Sequence, residues 1–230
     1  MYSAYSFKQI KKVPLKTYLS DREIIDYKEI PEAKKKGWLA ARFCAKKEAC
    51  YLLMQNYKKK VLLREVEITR KRFQKPVCKL PFKTNRTLNI SLSHCGELAV
   101  ASVADNKAEG LVGCDIEKIR DFKYNILKSF LTPKEIKVLK KAKLSEKPVL
   151  ATLLWSVKEA YLKAKGVGLV YHPKFIELDI NPKGNFCGLR DKDKEVPAEI
   201  GWSIYKNKYI FSKVNILKYS YGRRFREKSN

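Results

Sequence analysis

The stretch WSVKEAYLKAKGVG, residues 155–168, ends the strongest helical segment of the chain. From residue 149 to residue 165, apolar side chains recur at spacings of three and four, which places them on one face of an α-helix. Gly166 follows directly, and glycine commonly terminates helices. We therefore predict a helix over residues 149–165 with one face in a core. That face consists of Leu150, Leu153, Leu154, Val157, Tyr161 and Ala164.

A second stretch, GCDIEKIR at residues 113–120, is typical of a strand and carries two carboxylates among apolar residues. Asp115 and Glu117 are two residues apart, so in a strand they point to the same face. Cys114 and Ile116 point to the opposite face, which we expect to be the core.

A third carboxylate, Glu159, lies on the predicted helix but off its apolar face. In the simplest interpretation, Asp115 and Glu117 are solvated, and Glu159 forms an ion pair with the residue four positions on, Lys163. Alternatively, the three carboxylates supply hard oxygen ligands for Mg²⁺, which takes few carboxylates and binds water and substrate phosphates as well. Lys158 and Lys163 beside such a metal would favour an anionic substrate. The arrangement indicates phosphate chemistry, and a metal-dependent nuclease would need much the same parts.

The composition is strongly basic, because 50 Lys and Arg residues against 24 Asp and Glu give a formal net charge of +26. Such an excess indicates a nucleic acid, an anionic membrane or an acidic or phosphate-rich partner, although a general compositional bias also produces it. The six cysteines form no CxxC pair and have no ligand-like spacing with the two histidines, which argues against structural zinc. No apolar run could span a bilayer and no signal-peptide core is present, so we expect a soluble cytoplasmic protein.

The remaining patterns predict an α+β fold of two similar α/β halves, each with a small, largely antiparallel sheet packed against helices. We place the halves at residues 1–108 and 109–230, and we expect the basic tail from about residue 221 to be flexible. Two helix starts carry capping boxes, Ser20 with Glu23 and Thr132 with Glu135. The other predicted elements are a strand near residues 2–10, a helix at 41–57, a strand at 63–70, a basic loop at 71–86, strands at 87–94 and 97–105 joined by a turn at Cys95-Gly96, and strands at 110–119, 174–180, 184–191 and 200–217, the last a hairpin turning at 206–208.

Five segments resemble motifs of the 4′-phosphopantetheinyl transferase superfamily and occur in the family's order. GCDIEKI and WSVKEAYLKAKGVGL resemble its two signatures, roughly G-x-D-x-E and (W/F)-(S/T/C)-x-K-E-(A/S)-x-x-K, and their separation also fits. LNISLSHCGELAVASVA resembles an upstream Ser-His motif, RFQKPVCKLP a Lys-Pro loop, and FLTPKEIKVL the start of an intervening helix. The resemblance spans most of residues 40–170.

This resemblance implies an enzyme that moves 4′-phosphopantetheine from coenzyme A to a serine of an acyl or peptidyl carrier protein and releases 3′,5′-adenosine bisphosphate. The chain length and a recognisable first half resemble the surfactin-synthetase-activator type, whose members are monomers of two similar α+β halves. The implied cofactor is Mg²⁺, with Mn²⁺ as an alternative. The implied partners are coenzyme A and an acidic carrier protein, with no nucleic acid and no membrane.

The same resemblance assigns roles to individual residues. Asp115, Glu117 and Glu159 would bind the metal together with the pyrophosphate of coenzyme A. Glu159 would also take the proton of the carrier serine, directly or through water, and Lys163 would neutralise charge on the leaving phosphate. Ser93 and His94 are expected near the 3′-phosphate, Lys75 and Pro76 near the adenine, and Arg42, Lys47 and Lys158 as further basic contacts to coenzyme A.

The alternative interpretation is a metal-dependent nuclease or a basic nucleic-acid-binding protein. The net charge and the carboxylate triad support it. However, the basic residues are spread along the chain and no recognised nucleic-acid-binding motif is present. A nuclease of the common restriction-like type would also carry its third carboxylate on a strand, whereas Glu159 lies on a predicted helix.

Overall fold

The computed structural model describes residues 3–69, 75–84, 87–105, 110–181 and 185–217. The predicted boundary between residues 108 and 109 and the predicted flexible tail from residue 221 lie outside these ranges. The helices are α1 Phe7–Ile10, α2 Leu15–Tyr18, α3 Asp21–Lys28, α4 Glu32–Tyr57, α5 Tyr124–Phe130, α6 Pro133–Lys141 and α7 Lys147–Lys165, and the strands are β1 Ser3–Ser6, β2 Glu67–Thr69, β3 Val77–Lys79, β4 Leu88–Cys95, β5 Leu98–Asp105, β6 Leu111–Lys118, β7 Ile176–Ile180, β8 Phe186–Asp191, β9 Lys194–Glu195, β10 Ala198–Tyr205 and β11 Tyr209–Ile216.

The first half of the chain forms one five-stranded antiparallel sheet, ordered β1-β5-β4-β3-β2. The long helix α4 packs across β5 and β4. Small and aliphatic side chains of α4, such as Ala45 and Leu53, are buried against Ile90 and Ala101 of these strands. Helix and sheet thereby share a continuous core, which removes apolar surface from water.

The second half forms two three-stranded antiparallel sheets, β10-β11-β6 and β7-β8-β9. Helix α7 packs across β6 and β11. All six residues of its predicted apolar face are buried. Gly166 ends the helix with a φ of 76°, in the left-handed region that glycine adopts without strain. These features confirm the predicted helix and its orientation.

The two halves repeat one order of elements. In each half a strand is followed by a capped short helix, a long helix and an antiparallel pair of strands. Each half ends in a hairpin, and the last strand of this hairpin pairs with the first strand of the same half. The hairpins are β4–β5 and β10–β11, and the first strands are β1 and β6. The fold is therefore α+β, as predicted, with each long helix lying on an antiparallel sheet.

Strands β4 and β6 lie side by side where the two halves meet. The backbone N–H of Cys114 on β6 donates to Ser91 Oγ on β4 over 3.0 Å. Cys114 and Ile116 are buried there against Val100 and Phe211, so the face predicted to enter the core does so between the two halves.

Several local predictions are wrong or incomplete. Residues 2–10 do not form one strand, because β1 ends at Ser6 and α1 begins at Phe7. The predicted basic loop contains β3, a short strand whose single paired residue with β4 is Val77. The helix predicted from residue 41 begins at Glu32. The first hairpin turns at residues 96–97, one residue later than predicted.

Across the described residues, no helix combines the length and apolarity needed to cross a bilayer.

Candidate active site

Helix α7 lies directly on strand β6, and Gly113 makes this contact possible. A Cβ atom at Gly113 would lie 1.9 Å from the carbonyl oxygen of Ala160 on α7, well inside van der Waals distance. Asp115 and Glu117 follow at two-residue steps, so they share the face of β6 that meets the helix. The backbone of the helix therefore sits where the carboxylates of the strand point.

Asp115 is the centre of a polar cluster that joins the two halves. Its Oδ1 atom accepts from Lys163 Nζ on α7 over 2.6 Å and from Ser93 Oγ on β4 over 2.8 Å. Lys163 also donates to Ser93 Oγ over 2.9 Å. Asp115 is only 2% exposed, so it is not a solvated strand carboxylate. Among the described residues, its Oδ2 atom is buried without a hydrogen-bond partner.

Glu159 and Glu117 lie at the edge of this cluster. Glu159 Oε2 is 3.8 Å from Lys163 Nζ, which confirms the predicted i,i+4 ion pair as the weaker of two pairings of this lysine. Glu117 Oε1 accepts from the indole Nε1 of Trp155 over 3.3 Å. The tryptophan of the helix motif thus reaches the second carboxylate of the strand motif.

The pKa values show that the carboxylates influence one another. Burial raises the pKa of Glu159, the Lys163 ammonium opposes that shift, and Asp115 and Glu117 add to it. Burial also raises the pKa of Glu117, and Asp115 raises it further. For Lys163, burial alone would lower the pKa, but Asp115 and Glu159 outweigh burial and raise it. A cation among the carboxylates would relieve their mutual repulsion.

The donor chemistry fits a hard cation such as Mg²⁺. Carboxylate oxygens are the ligands this ion prefers, and Asp115 Oδ2 is a buried acceptor with no other use. Among the described residues, however, no three His, Cys, Asp or Glu side chains already converge on one point as a metal cage. This agrees with the usual coordination of Mg²⁺, which binds one or two protein carboxylates and completes its shell with water and substrate phosphates.

Ser93 and His94, predicted near the 3′-phosphate of coenzyme A, have different surroundings. Ser93 is buried between Asp115 and Lys163. His94 keeps an exposed edge, and its ring lies so close to Gly37 on α4 that a Cβ there would come within 2.6 Å of Nδ1. Burial lowers the pKa of His94, and the nearby Lys163 and Lys34 lower it further.

Lys75, predicted to bind near the adenine, contacts the end of α7. Its Nζ donates to the carbonyl oxygen of Ala164 over 2.9 Å and to Asn89 Oδ1 over 3.4 Å. Burial lowers the pKa of Lys75. A lysine of the first half therefore satisfies a carbonyl in the last turn of the helix that carries Glu159.

Pro76 and Arg42 line one cavity of about 760 Å³ in the first half. The Arg42 guanidinium lies 3.6 Å from the ring centroid of Trp38, which lines the same cavity. Arg42 is also 3.5 Å from Glu23 through its Nε. An aromatic ring stacked with a guanidinium beside an open space is suited to a flat, anionic ligand.

Two predicted basic contacts are placed away from the cluster. The structure corrects the prediction for Lys158, which is fully buried and donates to Glu135 and to the carbonyl of Phe130. Such a side chain cannot reach a dissolved ligand. Lys47 is exposed on α4, with its Nζ 5.9 Å from the ring centroid of Phe43.

Sequence reasoning missed two contributors, Gly113 and Trp155. Gly113 is a defined position of the strand motif, and Trp155 is a defined position of the helix motif. Their places in these motifs were the signal that could have identified both residues. What the spacing did not show is that Gly113 admits the helix backbone and that Trp155 binds Glu117.

Fold and cluster together define an α+β protein with an acidic and basic site between a strand of one motif and a helix of the other. Comparison with known proteins agrees with this class. The model of the 4′-phosphopantetheinyl transferase superfamily matches residues 111–212, which contain both motifs and most of the second half.

A curated relative, the 4′-phosphopantetheinyl transferase psf-1 of Bacillus pumilus, is 29% identical over 114 residues. The match covers 50% of this chain and 47% of the relative, so the chain matches about half the length of that protein.

A holo-(acyl-carrier-protein) synthase of Bacillus anthracis in complex with CoA (3′,5′-ADP) is 22% identical, with 46% of this chain and 94% of that chain covered and a TM-score of 0.38. A holo-[acyl-carrier-protein] synthase of Thermotoga maritima is 19% identical, with 47% and 64% covered and a TM-score of 0.39. At these TM-scores the likeness carries no further argument.

Proposed function

We propose that the chain transfers 4′-phosphopantetheine from coenzyme A to a serine of an acyl or peptidyl carrier protein, with release of 3′,5′-adenosine bisphosphate. The match of residues 111–212 to the model of the 4′-phosphopantetheinyl transferase superfamily supports this proposal. The observation that carries it is the contact of Lys163 and Ser93 with the buried carboxylate of Asp115, beside Glu117 and Glu159.

The reaction requires little covalent help from the protein. The carrier serine oxygen forms a bond to the phosphorus that bears pantetheine, and the bond from that phosphorus to the bridging oxygen breaks. The serine proton passes to Glu159, directly or through water, and the new charge stays on the departing adenosine bisphosphate. Catalysis of this kind depends on positioning and on compensation of charge.

The residues of the cluster divide this work. Glu159, partly exposed at the edge, can accept a proton because its carboxylate is not held by a short ion pair. Lys163 already faces two carboxylates and presents its positive charge towards a leaving phosphate. Asp115, Glu117 and Glu159 would hold Mg²⁺, which supplies charge neutralisation to the pyrophosphate when bound.

The nucleotide end of coenzyme A would occupy the cavity lined by Pro76, Arg42 and Trp38. Pro76 and Arg42 are both expected from the sequence to contact coenzyme A, and both line this cavity, which supports the proposal. Leu92, which lines this cavity, is followed on β4 by Ser93 of the acidic cluster and by His94. The net charge of +26 would speed the encounter with two anionic substrates.

We further propose the surfactin-synthetase-activator type, a monomer of the cytoplasm. The support is the repeated order of elements within one chain, because two joined halves supply both the cavity and the carboxylates.

The test is to incubate the purified protein with coenzyme A, Mg²⁺ and an apo carrier protein, and to weigh the carrier by intact mass spectrometry. We expect a gain of one phosphopantetheine that is lost with a chelator. If no carrier type gains mass and coenzyme A does not bind, the proposal is wrong.

A further inference from the structure

Lys158 directly precedes Glu159, yet its side chain points away from the acidic cluster into the core. It is fully buried, and its Nζ donates to Glu135 Oε2 and to the carbonyl oxygen of Phe130, each over 2.7 Å. Both partners belong to the segment α5–α6, on the other side of α7 from β6. Lys158 therefore links α7 to the segment α5–α6 in the helical turn that also carries Glu159.

Glu135 joins three elements through its two oxygens. As third residue of the α6 cap it accepts from the backbone N–H of Thr132 over 2.7 Å. Its Oε1 atom accepts from the backbone N–H of Leu178 on β7 over 2.9 Å. With Lys158, the carboxylate thus links the start of α6, the middle of α7 and a strand.

The first half contains the same arrangement around Glu23. It accepts from the N–H of its cap residue Ser20 over 3.0 Å and from the N–H of Ile68 on β2 over 3.3 Å. It also pairs with Lys46 of α4, and both side chains are fully buried. Glutamate and lysine are 23 residues apart in both halves. The arrangement is thus a duplicated structural unit and not a local accident.

The two copies differ in the residue that follows the lysine. After Lys158 comes Glu159, which lies beside Lys163 at the acidic cluster. After Lys46 comes Lys47, which is exposed on α4, with its Nζ 5.9 Å from the ring centroid of Phe43. Adjacent helical residues point about 100° apart. When the lysine side chain is fixed in the core, the rotation of the helix is fixed, and this also determines where the next side chain points.

We propose that Lys158 is a positioning residue, whose ion pair with Glu135 fixes the rotation and height of α7 and so holds Glu159 and Lys163 against Asp115. The role in catalysis rests on the proposed transferase function. Lys46 has the corresponding structural role for α4 but positions no catalytic group.

Energetics favour a rigid device of this kind. Burial lowers the pKa of Lys158 and raises that of Glu135, and the attraction between the two charges opposes both shifts. Removal of one partner leaves the other buried without compensation, so the surrounding elements must move or admit water. On α7, such a movement displaces the residues that meet Asp115.

The experiment compares Lys158→Met with its matched control Lys46→Met. Each removes the charge and keeps an unbranched side chain, so both variants lose thermal stability. For Lys158→Met we expect kcat to fall by about 10²-fold, as for a catalytic group displaced by about an ångström. For Lys46→Met we expect kcat to stay near the wild-type value. If this variant has an effect, we expect it in the KM for coenzyme A, because Arg42 of the cavity shares Glu23 with Lys46.

A second readout does not need activity. The indole N–H of Trp155 bonds to Glu117, so its NMR resonance, assigned with Trp155→Phe, reports how α7 sits on β6. We expect Lys158→Met to shift this resonance and Lys46→Met to leave it in place. If Lys158→Met does not fold, Glu135→Gln with Lys158→Met replaces it, since no buried charge is then unpaired.

Equal losses of kcat in the two variants, or an unchanged Trp155 resonance in folded Lys158→Met, would overturn the positioning role. If the wild-type protein transfers nothing to any carrier, the transferase function fails instead. The Trp155 resonance then still decides whether Lys158 sets the position of α7.

Discussion

The two halves of the molecule have the same framework and different chemistry. In each half a glutamate in a capping box receives a buried lysine from the long helix and an N–H from a strand. In the first half that glutamate also lies near Arg42, which lines the cavity of about 760 Å³. In the second half, the residue after the lysine is Glu159 of the acidic cluster.

Under the proposed function, this shared framework serves two tasks, because the side chains around it differ. The buried pairs determine where each helix lies. The residues on the free faces then decide whether the helix presents a cation near a cavity or a carboxylate near a strand. Four measurements on the two halves would separate framework from chemistry.

The largest expected effect is on the chemistry of the second half. We expect Glu159→Gln to lower the rate of phosphopantetheine transfer by about 10³-fold, because several kcal/mol of charge stabilisation and the proton acceptor are lost. The control is Glu146→Gln, the same change at the exposed start of α7. Single-turnover transfer, followed by mass spectrometry, measures both. Equal rates for the two variants would remove Glu159 from the mechanism.

The next effect concerns the contact between α7 and β6. We expect Gly113→Ala to lower the free energy of unfolding by about 3 kcal/mol, since the new Cβ overlaps the backbone of Ala160. Gly201→Ala on β10 is the matched control, because a Cβ there meets nothing within 4 Å. Urea denaturation of both variants measures the difference. A stability of Gly113→Ala equal to that of the control would mean that α7 does not sit this close.

The first half offers a contrasting glycine. A Cβ at Gly37 would approach the side chain of His94, which can rotate away, and not a backbone. We therefore expect Gly37→Ala to cost less stability than Gly113→Ala in the same urea experiment.

A smaller effect links Mg²⁺ to the pKa of the carboxylates. Since burial raises the pKa values of Glu117 and Glu159, the metal-free fold gains stability as pH falls through these raised values and loses it as pH rises through them. Mg²⁺ should therefore stabilise the protein more at neutral pH than at a pH below these raised pKa values. At neutral pH, Mg²⁺ at about 100 times its Kd should add about 2.7 kcal/mol to the free energy of unfolding. Thermal unfolding with and without Mg²⁺ measures this. Asp115→Asn should abolish the increase in Tm that Mg²⁺ causes. If Mg²⁺ does not change the Tm of the wild-type protein at neutral pH, the proposed metal site is wrong.

The smallest effect tests whether the two frameworks are equivalent. Ser20→Ala and Thr132→Ala each remove a side-chain oxygen that caps a helix, and each should cost about 1 kcal/mol. Urea denaturation should give the two variants nearly the same loss. A much larger loss at Thr132 would show that the second framework carries more of the stability than the first.

Much of this protein follows from local sequence patterns. The spacing of apolar residues predicted α7, the capping boxes predicted the starts of α3 and α6, and the alternation around Asp115 predicted which face enters the core. The two motifs identified the residues of the acidic cluster. These features depend on neighbours within a few positions, which is why one sequence suffices to predict them.

Other features were decided only by the tertiary structure. Lys158 and Lys163 lie five residues apart on one helix, and both were expected to face an anion. The first is buried with Glu135, and the second meets Asp115, because different elements pack on the two sides of α7. The order of the predicted elements indicated two similar halves, but the buried ion pair between a cap glutamate and a helix lysine in each half appears only in the structure. Ion pairs between distant segments depend on how helices and sheets pack, and this packing cannot be predicted from the local sequence pattern.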